Sequence, residues 1–391
     1  MVVSLYFYMV KALQYNLSKH DFPSNSDNRS LVQAQVEQRL DDWLRVARHS
    51  IAENTLKAYK RDWELFFNWC FEPVENDSNN RAARQSLPAS PTTIIEFIHS
   101  QIGFRAPSSI RRCLSTISKI HNAAGVVNPL LDSLVTTAKK EIGRGLRKEF
   151  KERPHHNYAG KQRQARGLTW SHLLKVKELL RVMPLSETKS LSIVKAKAAR
   201  RQNGIWLKNL RDRALIFLAY DSLLRVSELI SVNVEDISFE TDGSAIVTIG
   251  KRKDSQEGET ANAYVAPDTV KEIKRWMLYS GICSGPLFCS VTKSGELRLD
   301  KEYQLPKQLT RRNVADIYKA TADKIGESSD LFSCHSTRVG ATQDMLEENI
   351  GMLAVKQAGR WKSDRMPSQY AKKVEAKRGG MAQLSMKKNR S

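Results

Sequence analysis

Four side chains in the last sixty residues of this chain have types and spacing suited to one kind of chemistry. His335 and Arg338 are three residues apart, Trp361 follows 23 residues later, and Tyr370 comes nine residues after that. Arg225 lies upstream. Two guanidinium groups, an imidazole, an indole and a phenol are suited to hold a DNA phosphodiester while the phenol attacks it.

The transition state of phosphodiester cleavage concentrates negative charge on the non-bridging oxygens. Forked guanidinium groups match that geometry, and Arg225 and Arg338 supply two of them. A helix that starts near Cys334 would put His335 and Arg338 on one face and aim backbone N–H groups at the anion. The indole of Trp361 has one donor and no acceptor, which also suits an oxyanion.

Three further roles complete this chemistry. We expect Glu228 to hold Arg225 in place. The leaving 5′ oxygen needs a proton, and a lysine on a predicted hairpin is a candidate donor. That hairpin reads Gly250-Lys251-Arg252-Lys253-Asp254-Ser255, and local chemistry does not choose among its three basic residues. Tyr370 would form a covalent phosphotyrosine that conserves bond energy, so we expect no requirement for ATP or a metal.

Each of these residues also has an ordinary interpretation. Arg225 and Glu228 have the spacing of a surface ion pair on a helix. His335 suits a core or capping position, Trp361 suits packing, and Tyr370 is one of eleven tyrosines. The functional hypothesis therefore depends on the whole set and on no single member.

The composition favours a polyanionic partner. Lysine and arginine outnumber aspartate and glutamate by 63 to 42, a formal charge of +21, and nucleic acid is the commonest polyanion. The alternative is a basic surface kept for solubility. With 391 residues and 41% hydrophobic composition, the chain fits two domains that each bury a core.

Cysteine and histidine usage limits the other classes of function. The five cysteines are scattered and odd in number, which indicates a reducing compartment, so we expect a cytoplasmic protein that associates with the nucleoid when bound to DNA. The histidines are dispersed, and we expect no metal and no cofactor. The apolar run at 2–10 is too short to span a bilayer and lacks the basic start of a signal peptide, so we expect no membrane association.

The first part of the chain predicts a helical module. Residues 41 to about 140 have helical periodicity, with a cap and helix-starting proline at Ser90-Pro91 and a stop at Gly125. Basic side chains lie outside the apolar faces of two helices and suit a major groove, although solvated faces are the ordinary alternative. These candidate DNA-binding residues are Lys57, Lys60, Arg61, Arg111, Arg112 and Lys119.

The second part predicts a mainly α domain with a small antiparallel β-sheet. The basic, glycine-interrupted stretch 143–167 is typical of a linker that follows phosphates or is disordered. Leu210–Ser231 predicts a long helix, and three short β-prone runs between 233 and 266 predict the sheet. Helices return from Val270. The basic stretch 185–208 gives no clear secondary structure.

At this point the chain resembles the tyrosine recombinase (phage integrase) family, in particular its Cre-type site-specific recombinases. The family order is Arg, Lys, His-x-x-Arg, Trp or His, and Tyr. The matching stretches are Leu223-Leu224-Arg225-Val226-Ser227-Glu228, His335-Ser336-Thr337-Arg338-Val339-Gly340-Ala341, Gln357-Ala358-Gly359-Arg360-Trp361, and Tyr370. Ungapped spacing from Arg225 to Gly250 then places the family's hairpin lysine on Lys253. The stretch 185–208 resembles an insertion.

The resemblance implies an organisation as well as an activity. It implies a core-binding domain at 41–142 that clasps DNA, a linker at 143–167 and a catalytic domain at 168–391. Residues 1–40 have no counterpart in the family, and we expect them to form a poorly ordered N-terminal tail. It implies a homotetramer on two double-stranded DNA sites with inverted-repeat arms, and strand exchange through a 3′-phosphotyrosine and a Holliday junction. It also implies that the segment after Tyr370 docks into a neighbouring subunit through apolar residues. The available anchors are Val374, Met381, Leu384 and Met386.

Two other functions use the same residues. A type IB topoisomerase shares the tyrosine chemistry and would relax supercoils as a monomer. A DNA-binding protein with a decayed site would keep the basic surface without cleavage. The complete set of six side chains and the Cre-like spacing favour recombination over both.

Overall fold

The computed structural model describes residues 26–71, 84–144, 164–180, 193–250, 261–302 and 304–388. The chain divides into two compact units, Met1–Arg163 and Gln164–Ser391. Both units are mainly helical, and the second contains a three-stranded antiparallel sheet. The predicted fold class is therefore confirmed.

The first unit is helical throughout its described part. Its helices are α1 (Ser26–Ser50), α2 (Glu53–Phe71), α3 (Pro91–Gln101), α4 (Pro107–Ala124) and α5 (Ser133–Arg144). Ser90 caps α3 by accepting from the Thr93 N–H at 3.1 Å, and Gly125 ends α4 with a left-handed φ of 69°. Trp63 and Phe97 are fully buried among aliphatic residues in one core. Burial of these apolar faces holds the unit together.

The predicted N-terminal tail at 1–40 is wrong for residues 26–40. These residues belong to α1, and Val36, Leu40 and Leu44 from that helix lie in the core of the first unit. The helix is polar overall, so its narrow apolar stripe gave a weak periodic signal. Residues 1–25 lie outside the described residues.

The second unit surrounds a larger core. Its helices are α6 (Trp170–Leu179), α7 (Ile193–Ser222), α8 (Val226–Ile230), α9 (Pro267–Ser280), α10 (Arg311–Lys324), α11 (Ser336–Glu347), α12 (Met352–Gly359), α13 (Arg365–Arg378) and α14 (Gly380–Lys387). Leu210, Phe217, Trp276 and Tyr318 are fully buried in this core. The apolar middle of α7 packs against α9 and α11.

The sheet contains β1 (Ile237–Phe239), β2 (Ala245–Ile249) and β3 (Ala261–Val265) in sequential order. Val247 pairs with Ile237 on one side and with Ala263 on the other. Alternate residues of β2 face the core, as its period of two requires. The hairpin residues between β2 and β3, which include Lys253, lie outside the described residues.

Two predicted boundaries need correction. The helix predicted over Leu210–Ser231 breaks at Leu223, whose φ is 47°, and resumes as α8. The linker predicted at 143–167 includes two residues of α5 and, at its other end, Arg166, whose N–H donates to the Leu331 carbonyl at 2.8 Å. The break at Leu223 and the bond of Arg166 depend on contacts with distant residues, which the sequence pattern does not show.

Residues 193–208, for which the sequence gave no clear secondary structure, form the first part of α7. That the stretch 185–208 is an insertion stays a prediction.

The last helix exposes three apolar side chains. Met381, Leu384 and Met386 of α14 are 69%, 43% and 74% exposed. Val374, which the sequence offered as a fourth docking anchor, is instead buried in its own unit. That anchor was wrong, because α13 packs against α11 along this side.

Candidate active site

The amino end of α11 positions two of the predicted residues. The helix begins at Ser336 with His335 as its N-cap residue, which confirms the predicted start near Cys334. Buried Thr337 shares a hydrogen bond of 2.8 Å with the Tyr318 hydroxyl, and this bond fixes the first turn against the core. Arg338 therefore projects from a rigid helix start.

Arg338 is held by backbone carbonyls. One terminal nitrogen of its guanidinium donates to the Leu223 carbonyl, and the other donates to the Gly359 carbonyl at 3.1 Å. The group lies 4.9 Å from the centre of the Trp361 ring and is almost fully buried. Burial, together with the nearby Arg225 and Arg360, lowers the pKa of Arg338 to about 10. The side chain still carries its charge at neutral pH.

The break after α7 places Arg225 at the N-cap of α8. Both oxygens of Glu228 accept hydrogen bonds of 2.8 Å, one from the Arg225 backbone N–H and one from its guanidinium. Burial alone would raise the pKa of Glu228, but these hydrogen bonds outweigh it and lower that pKa. The Arg225 side chain remains 41% exposed, so it is held at one end and open to a ligand at the other.

Tyr370 lies on α13 beside Trp361. The two ring centres are 6.1 Å apart and the planes cross at 70°. The backbone carbonyl of Tyr370 accepts from Gln343 of α11 at 3.1 Å, which ties the two helices together. Burial raises the pKa of the Tyr370 phenol, while Arg338 and Arg225 act in the opposite direction. A phenol near two guanidinium groups is therefore poised to lose its proton more readily than its burial alone would allow.

His335 lies at the surface of this cluster. Partial desolvation of the ring, and then the charges of Arg338 and Arg225, lower the pKa of His335. The imidazole is therefore neutral at physiological pH and has one donor and one acceptor nitrogen. Within the second unit the structure thus brings together Arg225, Glu228, His335, Arg338, Trp361 and Tyr370.

The basic residues predicted to bind DNA all lie on α2 and α4 of the first unit. Lys57 pairs with Glu53 at 2.7 Å, and Lys60 is 3.5 Å from Glu64. Lys119 lies 5.8 Å from the centre of the Tyr59 ring. Both Arg61 and Arg111 are exposed.

Arg112 has a structural contact in addition. Its guanidinium forms two hydrogen bonds, of 2.7 and 2.8 Å, with the buried carboxylate of Asp62. This pair joins α4 to α2. Binding of DNA by these six side chains stays a prediction.

Arg360 belongs to the site as well, although its place before Trp361 in the sequence indicated no role for it. Arg360 has a left-handed φ of 55° at the end of α12 and points a buried guanidinium at the break near Leu223. A sequence signal was available. Helices commonly end with glycine or asparagine in this conformation, and an arginine just before Trp361 departs from that rule.

Two features are absent from the described part of the chain. No helix there combines the length and apolarity needed to cross a bilayer. In the same residues, no group of three or more histidine, cysteine, aspartate or glutamate side chains is placed to hold a metal ion.

Comparison with known proteins gives a family and several relatives. Residues 184–377 match the phage integrase family. The chain is 29% identical over 329 residues to the integrase/recombinase XerD homolog of Selenomonas ruminantium, which covers 82% of each chain. It is 24% identical over 361 residues to recombinase Cre of Escherichia phage P1, covering 90% of this chain and 92% of that one.

Solved structures share the fold at lower identity. The Tn1549 transposon integrase matches with a TM-score of 0.52 at 11% identity, covering 86% of this chain and 94% of the other. The XerH site-specific recombinase matches with a TM-score of 0.51 at 14% identity, covering 95% and 94%. The chain therefore belongs to the tyrosine recombinases of the phage integrase family.

Proposed function

We propose that the protein is a site-specific DNA recombinase that cuts and rejoins strands through a 3′-phosphotyrosine. One observation carries the proposal. The guanidinium of Arg338 lies 4.9 Å from the Trp361 ring, whose other neighbour is the Tyr370 ring at 6.1 Å. A fixed cation, an indole donor and a nucleophile thus meet in a partly desolvated place, where they act most strongly on a phosphodiester.

The cleavage step exchanges one phosphoester bond for another. The Tyr370 oxygen attacks phosphorus, a new phosphorus–oxygen bond forms to the protein, and the bond to the 5′ oxygen breaks. The phenol loses one proton and the 5′ oxygen gains one, so no proton is consumed overall. Attack by the free 5′ hydroxyl of another strand reverses the step and completes the exchange.

Each neighbouring residue has a role in that step. Arg225 and Arg338 bind the non-bridging oxygens, and Glu228 orients Arg225 through its two hydrogen bonds of 2.8 Å. The N–H of Trp361 donates to the same phosphate, and neutral His335 donates or accepts at its edge. Lys253, on the hairpin that follows β2, protonates the leaving 5′ oxygen.

The rest of the chain binds the DNA and the partner subunits. The candidate DNA-binding residues of the first unit hold the duplex, and the second unit, Gln164–Ser391, carries out catalysis. The structural relative XerH was solved on a palindromic difH substrate, which supports target sites with inverted arms. Four subunits would exchange strands in pairs through a Holliday junction, with exposed α14 docking into a neighbour.

The deciding experiment is the variant Tyr370→Phe. Nicked duplexes made from DNA that flanks the gene would trap a covalent adduct with the unaltered protein. The short fragment that carries the free 5′ hydroxyl diffuses away after cleavage, so rejoining cannot occur. The phenylalanine variant should bind the same duplexes and form no adduct on a denaturing gel. Tyr264→Phe is the matched control, since that tyrosine is 56% exposed on β3.

Two results would contradict the proposal. Adduct formation by Tyr370→Phe at the normal level would remove this residue from the chemistry. Relaxation of supercoiled plasmids that lack any target site, by a protein that stays monomeric on DNA, would replace recombination by topoisomerase activity.

A further inference from the structure

We propose that Arg360 is a positioning residue that ties the turn carrying Trp361 to the chain break carrying Arg225. This inference rests on the proposed strand cleavage and adds a member to that site. The two segments are far apart in the sequence, and each holds a group that binds the phosphate. Arg360 acts through these groups and does not touch the phosphate itself.

The backbone of Arg360 has an uncommon conformation. It ends α12 with φ of 55° and ψ of 46°, in the left-handed region that disfavours residues with a Cβ atom. Such a conformation persists where the surroundings hold it, and these positions concentrate at functional sites. Here the hold comes from the side chain.

That side chain is buried and directed at the end of α7. One terminal nitrogen donates to the Ser222 carbonyl at 3.0 Å and the other donates to the Leu223 carbonyl at 3.1 Å. The last carbonyls of a helix have no partner within the helix. Arg360 satisfies two of them at the point where Leu223 takes its left-handed φ of 47° and the chain turns toward Arg225.

Arg360 also shares partners with the residues that bind phosphate. Arg338 donates to the same Leu223 carbonyl and to the carbonyl of Gly359, which directly precedes Arg360. Arg360 lies 3.7 Å from the Glu228 carboxylate, which in turn holds Arg225. One guanidinium thus links both phosphate-binding arginines without occupying the place of either.

The position relative to the nucleophile separates this role from direct binding. Arg338 is also buried and bonded to carbonyls, but it lies 4.9 Å from the centre of the Trp361 ring, and its charge and that of Arg225 act on the Tyr370 phenol. The Arg360 side chain is 6% exposed and is directed instead at the Ser222 and Leu223 carbonyls and the Glu228 carboxylate. The geometry therefore favours action through Arg225 and Trp361.

The test compares Arg360→Gly and Arg360→Lys in the full-length protein. Glycine suits the left-handed backbone, so Arg360→Gly removes the side chain without new strain. Asn349→Gly is the matched control, because Asn349 has a φ of 60° and lies outside the site. Two readouts are needed: amide hydrogen exchange in peptides covering 222–230 and 359–361, and adduct formation on nicked duplexes.

Arg360→Gly should exchange faster in those two segments and form adduct about 100-fold more slowly, as expected for a misplaced catalytic group, with DNA binding unchanged. Arg360→Lys should recover part of the protection from exchange and part of the rate of adduct formation. Asn349→Gly should behave as the unaltered protein. On a duplex with a methylphosphonate at the cleaved position, Arg360→Gly should stay impaired, because its defect is placement and not missing charge. Arg338→Met should form adduct faster on that duplex than on the unmodified one, because the methylphosphonate lacks the negative charge that Arg338 would neutralise.

Several results would overturn the proposal. Normal exchange in both segments would show that Arg360 does not tie them, whatever the cleavage rate. Recovery of Arg360→Gly on the methylphosphonate duplex would make Arg360 a direct phosphate ligand. Full activity of Arg360→Lys with fast exchange would show that charge alone matters. If the unaltered protein forms no adduct on any duplex, strand cleavage fails as the function, and the exchange data still decide whether Arg360 joins the two segments.

Discussion

Two charged clusters, one in each unit, are arranged in opposite ways. In the first unit, the Asp62 carboxylate is 3% exposed and receives two hydrogen bonds from Arg112 and one, of 3.3 Å, from Thr116. In the second unit, the guanidinium groups of Arg225, Arg338 and Arg360 gather around one carboxylate, Glu228. One arrangement is balanced and the other has an excess of positive charge.

The difference separates a structural ion pair from a binding site. A balanced pair needs no further partner, and its removal costs stability. Burial, and then the like charges of Arg225 and Arg360 held close by, lower the pKa of Arg338, so keeping this guanidinium charged costs free energy in the folded state. A fold retains such a cluster where an anion will complete it. In this protein we propose that the anion is the scissile phosphate.

Arg338→Met gives the largest expected effect. Methionine keeps an unbranched apolar stem and removes the charge and the donors, so adduct formation should fall on the order of 100- to 1,000-fold, as for loss of one transition-state donor. The melting temperature should stay level or rise, because repulsion with Arg225 and Arg360 is relieved. Single-turnover cleavage and thermal unfolding would be measured side by side. A stable variant that cleaves normally would break the comparison.

Acid should weaken the first unit through His121. This buried ring accepts from the Ala89 N–H at 2.9 Å and donates to the Ile117 carbonyl at 2.8 Å, and burial lowers its pKa from 6.5 to about 4. Between these two values the unfolded chain therefore binds a proton on His121 and the folded unit does not. The contribution of neutral His121 to the free energy of unfolding is complete above pH 6.5 and is lost as the pH falls through 4, by about 3 kcal/mol in total.

Hydrogen exchange in peptides of α3 and α4 would measure this loss between pH 7 and pH 4. His121→Gln removes the titration and keeps a side-chain acceptor near the Ala89 N–H, so its profile should be flatter. Equal slopes for the variant and the unaltered protein would show that His121 does not control the acid response of this unit.

Asp62→Asn should give the smallest of these effects, and on stability alone. The amide loses the charged hydrogen bonds from Arg112, so the free energy of unfolding of the first unit should fall by roughly 2 kcal/mol. Arg112 is half exposed and can regain water, which limits the cost. Denaturant unfolding would report the change, and the rate of adduct formation from bound DNA should not move. A loss of cleavage without a loss of stability would contradict the assignment of this pair.

Local chemistry made several elements predictable. Ser90 with Pro91 marked the start of α3, Gly125 marked the end of α4, and the alternation of apolar residues marked β2. Each depends on neighbours within a few residues. The approach of His335 to Arg338 was predictable for the same reason, since two residues three positions apart on a helix lie on the same face.

Tertiary contacts decided the rest. The apolar periodicity of α7 continues past Leu223, yet the chain breaks there because distant guanidinium groups take up its carbonyl. The same contacts explain why the buried role of Arg360 went unrecognised. The helical residues at 26–40 were missed because a narrow apolar stripe in a polar helix becomes meaningful only when it meets a core.

The carbonyl of Leu223 has one more consequence. It receives guanidinium groups from residues 115 and 137 positions further along the chain. A chain truncated before residue 360 would lack one of the two guanidinium groups that take up this carbonyl, and it would lack Trp361 and Tyr370 as well. The chain turn that carries Arg225 therefore reaches its final set of contacts only after the second unit has been synthesised through these late residues.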